Sequence, residues 1–273
     1  MNTTTVAREV PSARKRARWS PRLVTAEFLK LRKRRGLVVS ILVLTIVPML
    51  VAYTVLAILH ATKPGSYGSP GSFENFSGSM ELLTQLSAVA AILVGTTLGA
   101  GDLGAGVFRE LVVTGRSWLA LFAARVPAGL ALLVPLVGTA FAVTATAATL
   151  LAGSSEAPSG NLLAHSAGWL TLVTAPSFAL ALGVSSLVGS RGTSIGILLA
   201  WQLVAMPLLL QVGILGVLRE GFVEAATNRL APAALMEGSV AVPMSLGAAA
   251  AVIFAWIAVP LAAGAWRTCT RDA

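Results

Sequence analysis

Few residues in this 273-residue chain have the types and spacing that catalysis or cofactor binding requires. Residues 99–104, GAGDLG, spell the Gly-x-Gly-x-x-Gly pattern of dinucleotide-binding turns, but that pattern binds a cofactor only between a strand and a helix. The sequence contains no His-Glu-x-x-His zinc motif and no Gly-Lys pair of a phosphate-binding loop. We therefore predict that this chain is not an enzyme and holds no metal or cofactor.

The composition indicates which elements surround these residues. Apolar residues make up 56% of the chain and charged residues 11%, and the mean hydropathy is +0.81. Soluble domains contain roughly 45–50% apolar and about 25% charged residues, so this chain cannot hide its apolar surface in a water-soluble fold. The composition also excludes a disordered chain, a coiled coil and a disulfide scaffold. It predicts an all-α, multi-pass membrane protein.

Six apolar stretches are long enough to cross a bilayer, which takes roughly 20 helical residues. They cover residues 37–59, 82–101, 125–151, 168–188, 193–217 and 242–265. The predicted organisation is a disordered basic tail (1–19), an interfacial amphipathic helix (20–36), one six-helix transmembrane domain (37–266) and a short tail (267–273). Gly95 and Gly99 form a Gly-x-x-x-Gly pattern that would let two helices approach closely.

Basic residues predict the orientation. Eleven of the 20 lie within the first 35 positions, and with the N-terminus inside, 17 fall on the cytoplasmic side. Such a tail could bind nucleic acid, but one that directly precedes a long apolar helix is typical of contact with anionic membrane lipid. We therefore expect both termini in the cytoplasm, lipid as a partner and no nucleic acid. Sixteen Arg against four Lys, with abundant Ala, indicate a GC-rich bacterium and its cell membrane.

The spans carry almost no ionisable residues, which a proton- or ion-coupled transporter usually needs. Glu81 and Arg125 lie at span ends, and Gln85, Gln202 and Gln211 are the main long polar side chains inside. We expect these glutamines to form hydrogen bonds between helices. Any transport would then draw its energy from another subunit.

The segment before the first span predicts an amphipathic helix. Ser20 suits the N-cap and Pro21 the first turn, while Val24, Phe28 and Leu31 share one apolar face. Its charged residues include the interfacial basic set Lys30, Arg32, Lys33, Arg34 and Arg35. The helix could anchor the topology, contact a cytoplasmic partner, or do both.

Two further segments lie outside the spans. In the loop 102–117, DLGAGVFRELVVTGRS, Phe108 and Leu111 recur at helical spacing, and Ser117 suits the cap of the next helix. This short helix could dock into a soluble protein or simply lie in the membrane interface. On the outer side, residues 219–243 predict short helices that dip into the leaflet and either gate an exit route or cap the bundle.

These segments resemble the permease subunits of type-2 ABC transporters. The start AEFLKLRKRRG (26–36) is similar to the interfacial helix that opens those subunits, and LAPAAL (230–235) is similar to the segment before their last span. Asp102, Gly106, Arg109, Leu111 and the pair 116–117 resemble their loop after the second span, although Val107 stands where the family usually has Thr. The chain looks most like bacterial members linked to export of, or immunity to, peptide antibiotics such as lantibiotics.

The resemblance implies a permease, expected to be an exporter, driven by a separate ATPase subunit that binds ATP. That subunit would dock on the loop 102–117, which acts as a cytoplasmic coupling helix between spans two and three, with a smaller contact at 190–193. The implied partner-coupling residues are Asp102, Phe108, Arg109, Glu110, Leu111 and Arg116. A second permease copy, or a sister permease, would complete the pathway. The alternative is a non-transporting membrane sensor or immunity protein that binds a peptide or regulates a partner.

Overall fold

The computed structural model of the chain describes residues 20–104, 117–153, 155–236 and 242–270, and within these residues it is all-helical without a strand. The helices are α1 (Pro21–Lys33), α2 (Arg35–Thr62), α3 (Phe73–Gly104), α4 (Trp118–Leu150), α5 (Gly160–Val188), α6 (Arg191–Gln211), α7 (Val223–Arg229) and α8 (Leu246–Thr270). Two short 3-10 segments, Gly213–Gly221 and Ala233–Met236, flank α7. The predicted all-α class is confirmed.

Six of these helices, α2 to α6 and α8, are long and apolar enough to cross a membrane, as the sequence predicted. The predicted spans differ from these helices mainly at their ends. Helices α3, α4 and α5 begin at Phe73, Trp118 and Gly160, seven to nine residues before the predicted residues 82, 125 and 168. The last two spans differ as well. The fifth was drawn to residue 217, but α6 stops at Gln211, and Gly216 in the following 3-10 segment has a φ of 50°, a conformation that glycine favours. The sixth was drawn from residue 242, but α8 begins at Leu246, where the Ser245 hydroxyl accepts a hydrogen bond from the Ala248 N–H.

The spanning helices alternate in direction, which gives the bundle two ends. We call the end that holds α1 the basic end, because nine of the twelve described basic side chains lie there. It also holds the last turn of α3, the first turns of α4 and α6 and the ends of α5 and α8. The other end, which we call the opposite end, contains Glu74, Glu81, Glu156, Glu220 and Glu224.

The core of the bundle is the contact between α3 and α5. A Cβ added at Gly95 would lie 2.6 Å from Ala181 Cβ and 2.8 Å from the Phe178 carbonyl oxygen, so only glycine fits. At Gly99 an added Cβ would clash with Ser185. The predicted close approach at these two glycines is therefore confirmed, and α3 is the most buried of the spans.

A second fixed contact joins two connections at the opposite end. Ser69 Oγ, between α2 and α3, lies 2.6 Å from both the Leu151 and the Ala152 carbonyl oxygens at the end of α4. The Gly71 N–H also donates to the Leu151 carbonyl oxygen, at 3.0 Å. These bonds satisfy carbonyl groups that the helix end leaves without intrahelical partners.

Candidate functional site

Helix α1 is held firmly at the basic end. The Ser20 hydroxyl accepts a hydrogen bond from the Arg22 N–H, and Pro21 occupies the first turn, as the sequence predicted. The predicted apolar face is also confirmed, since Leu31 is 1% exposed and Val24 and Phe28 are half-buried. The structure adds that this face packs on α4 and α2, so α1 is part of the bundle.

The five residues of the interfacial basic set differ in exposure. Arg32, Lys33 and Arg35 are exposed, whereas Lys30 is partly buried with its Nζ 3.6 Å from Glu27 Oε2. Arg34 is the single non-helical residue between α1 and α2, with a ψ of 71°. The exposed charge of the set therefore comes from Arg32, Lys33 and Arg35, where α1 ends and α2 begins.

Arg34 turns inward and lines a surface depression of about 370 Å³ at the basic end. A Cβ added at Gly101 would lie 3.4 Å from Arg34 Nη2, an ordinary van der Waals contact, so this guanidinium lies against the end of α3. Arg191, in the first turn of α6, lines the same depression together with Ser40 and Thr97. Two guanidinium groups and two hydroxyls can bind an anionic group.

The implied coupling residues Phe108, Arg109, Glu110, Leu111 and Arg116 lie outside the described residues, and their roles stay predictions. The backbone of Asp102 belongs to the last turns of α3, but its side chain is also outside the description.

The start of α4 bounds this loop on its other side. The Ser117 hydroxyl accepts a hydrogen bond from the Ala120 N–H at 3.0 Å, which confirms the predicted helix cap. Both ends of the loop are thus fixed at the basic end.

The turn between α5 and α6 lies at the same end. Gly189, with a φ of 76°, ends α5 by donating its N–H to the Ser185 carbonyl oxygen at 2.8 Å. Ser190 follows, its hydroxyl 3.1 Å from that of Thr193. The segment 190–193, implied as a smaller partner contact, is therefore the start of α6, and its Arg191 lines the same depression as Arg34.

The opposite end contains a cavity that no pattern in the sequence predicted. It measures about 230 Å³, and its walls come from α3, α5, α6, α7 and the second 3-10 segment. Its polar walls include Glu81, Gln85, Gln202 and Glu224. Glu81 is exposed, whereas Glu224 is partly buried. Glu224 lies outside the spans, and burial, reinforced by the charge of Glu81, raises its pKa above the ordinary 4.5.

The glutamines do not all form the hydrogen bonds between helices that the sequence predicted. Gln85 Oε1 is shielded from solvent and has no hydrogen-bond partner among the described residues, so the predicted bond between helices is wrong for this atom. Gln202 reaches the cavity from a π-helical turn, Trp201–Ala205, in which the Met206 N–H donates to the Trp201 carbonyl five residues back. Pro207 explains the wide turn, because its ring clashes with the carbonyl four residues earlier in a regular helix.

One sequence signal could have pointed to this cavity. Glu81 and Gln85 are four residues apart on α3 and therefore share a face, which is also the face that carries Gly95 and Gly99 further along the helix. Glu224 carried no such signal, because its position depends on how α7 folds back. The Trp169 indole fixes that fold by donating to the Thr227 carbonyl oxygen at 2.9 Å.

The chain matches no protein-family model, and no curated sequence is significantly similar to it. The resemblance to type-2 ABC permeases stays a prediction from the sequence of the segments 26–36, 102–117 and 230–235 and from the six predicted spans.

Proposed function

We propose that the chain is the membrane-spanning permease subunit of an ATP-driven ABC exporter, in a bacterial cytoplasmic membrane with both termini inside. The observation that carries the proposal is the convergence of three predicted partner-contact segments at the basic end. Helix α1, the two fixed ends of the loop 105–116 and the turn at 190–193 all lie there. A soluble ATPase could contact all three at once.

The packing of α3 supports a route from that partner to the bundle. The loop continues directly from α3, and α3 contacts α5 so closely at Gly95 and Gly99 that neither helix can slide independently. A displacement imposed on the loop would therefore move α3 and α5 together. Phe108 and Leu111 would anchor the docked loop, while Asp102, Arg109, Glu110 and Arg116 would orient it. A second copy or a sister permease would face this pair across the pathway.

The test is affinity purification of the chain in mild detergent, with mass spectrometry and an ATPase assay on whatever co-purifies. We expect a stoichiometric ATPase whose turnover in the complex is lost in the Phe108→Asp variant, because a buried charge would replace an apolar anchor. Tyr67→Asp is the matched control: it puts the same charge in place of an exposed aromatic residue at the opposite end and should leave coupling unchanged.

Two results would contradict the proposal. The first is undiminished ATPase coupling and transport by Phe108→Asp in a complex that contains the ATPase. The second is a chain that purifies alone and whose gene has no neighbour encoding a phosphate-binding loop, which would favour the non-transporting sensor or immunity protein.

A further inference from the structure

We infer that the cavity between Glu81 and Glu224 binds an organic cation, namely a primary ammonium or guanidinium group carried on an apolar body. The site lies at the end of the bundle opposite the proposed ATPase contacts and needs no partner to form. The inference therefore stands or falls separately from the proposed transport function.

The charge of the walls selects a cation. Glu81 at the mouth and Glu224 further in are the two titratable side chains that line the cavity, and no Lys, Arg or His among the described residues lines it. The two basic residues nearest to Glu224 in sequence, each five residues away, bind backbone carbonyls elsewhere. Arg219 Nη1 donates to the Leu210 carbonyl oxygen at 3.2 Å, and Arg229 Nε donates to the Met244 carbonyl oxygen at 2.9 Å. The carboxylates are therefore not neutralised by the cavity's own walls, and an anion would be repelled.

Two buried acceptors at the walls lack donors. Gln85 Oε1 and Glu224 Oε2 are both shielded from solvent, and neither has a hydrogen-bond partner within the described part of the chain. Such atoms are rare in folded proteins because each one forgoes the hydrogen bonds it made to water. An ammonium group offers three N–H donors and a guanidinium five, which suits two or more convergent acceptors.

The size and the remaining walls indicate an organic ligand and not a bare metal ion. The cavity of about 230 Å³ far exceeds one cation, since a single water occupies roughly 30 Å³. Met80, Trp169 and Leu235 give it apolar walls beside the carboxylates. A ligand that joins a charged amine to a small apolar body would meet both kinds of surface.

The binding test uses 2-phenylethylamine and two analogues that keep the phenyl body but replace the ammonium, namely 2-phenylethanol and 3-phenylpropionate. Each is titrated calorimetrically into the full chain in a maltoside detergent at neutral pH, where the amine is protonated. We expect saturable binding of the amine, with the alcohol weaker by about tenfold or more and the carboxylate not bound. Equal binding of the amine and the alcohol by the unaltered chain would overturn the inference, and so would no binding of the amine.

Variants localise the site. Glu224→Gln and Glu81→Gln should each weaken amine binding by about tenfold, because each removes one charge from the cavity. Glu74→Gln is the matched control, since Glu74 lies two turns before Glu81 on the same face of α3, is exposed and does not line the cavity. A loss of affinity in Glu74→Gln equal to that in Glu81→Gln would show only general electrostatic attraction and would overturn the site. If a cavity variant fails to fold, the difference in affinity between the amine and the alcohol for the unaltered chain still tests whether the chain binds a cation.

The ammonium could belong to a soluble amine or to a lipid headgroup. Repeating the titration with added phosphatidylethanolamine or, separately, phosphatidylglycerol distinguishes these sources. Competition by phosphatidylethanolamine alone assigns the site to a lipid amine, and no competition by either assigns it to a soluble cation. Equal competition by both lipids would mean that the amine binds a lipid-facing surface and would overturn the inference.

Discussion

Replacing Gly95 by alanine should separate α3 from α5. In an exposed helix this substitution usually stabilises by about 1 kcal/mol, because alanine has the higher helix propensity. At Gly95, however, the new methyl group would lie 2.8 Å from the Phe178 carbonyl oxygen and 2.9 Å from the Leu182 N atom. Both are backbone atoms, so a rotamer change cannot relieve the contact and the helices must move apart.

Overpacking of this kind costs about 1–3 kcal/mol. Gly78, on the same helix, provides the matched comparison, because an added Cβ there meets nothing within 4 Å. We expect Gly95→Ala to be less stable than Gly78→Ala by about 1–3 kcal/mol, from the loss of helix contact alone. Unfolding in mixed micelles with increasing dodecyl sulfate, followed by tryptophan fluorescence, measures the difference. Coincident midpoints for the two variants would refute the close packing of α3 on α5.

Three further predictions concern α1, Glu224 and the π-helical turn. Leu31→Asp should release α1 from the bundle, because the loss of this buried side chain costs about 2–5 kcal/mol. Trypsin should then cleave α1 faster than in the control variant Leu29→Asp, since Leu29 is exposed. Because the pKa of Glu224 in the folded chain lies above the ordinary 4.5, the folded chain takes up this proton first, so lowering the pH from neutral toward 4.5 should stabilise the fold. Thermal unfolding should show this gain in stability in the native chain and not in Glu224→Gln. Glu81 is the other titratable side chain that lines the cavity. Binding of 2-phenylethylamine should weaken over the same pH range, because the Glu224 carboxylate is neutralised. Pro207→Ala should let the wide turn become a regular helix, rotate Gln202 away from the cavity and weaken amine binding, and unchanged affinity would separate Gln202 from the site.

The presence of six spans and the two helix starts capped by serine could be predicted because they depend on local sequence. A run of apolar residues such as 37–59 exceeds the thickness of a bilayer whatever surrounds it, and Ser20 and Ser117 cap helices through hydrogen bonds two or three residues away. The Gly95 and Gly99 pattern predicted a close approach, but the partner surface on α5, which includes Ala181, could not be deduced from it.

The cavity could not be predicted, because its parts come from distant segments. Glu81 lies on α3 and Glu224 on α7, a seven-residue helix whose position depends on a hydrogen bond from Trp169. The end of α6 was misjudged for a related reason, since apolar residues continue past Gln211 while the backbone leaves the helix at Val212. Hydropathy records which solvent a residue prefers, and it does not record where a helix stops.

The bonds made by Ser69 also bear on the order in which the chain assembles. Ser69 Oγ reaches carbonyl groups 82 and 83 residues further along the chain. During synthesis, the connection between α2 and α3 therefore cannot make these bonds until the ribosome has passed Ala152 and α4 has been inserted. The first two spanning helices are therefore in the membrane before this contact forms. In a chain truncated before residue 151, proteases should cleave the segment 63–72 faster than in the 273-residue chain.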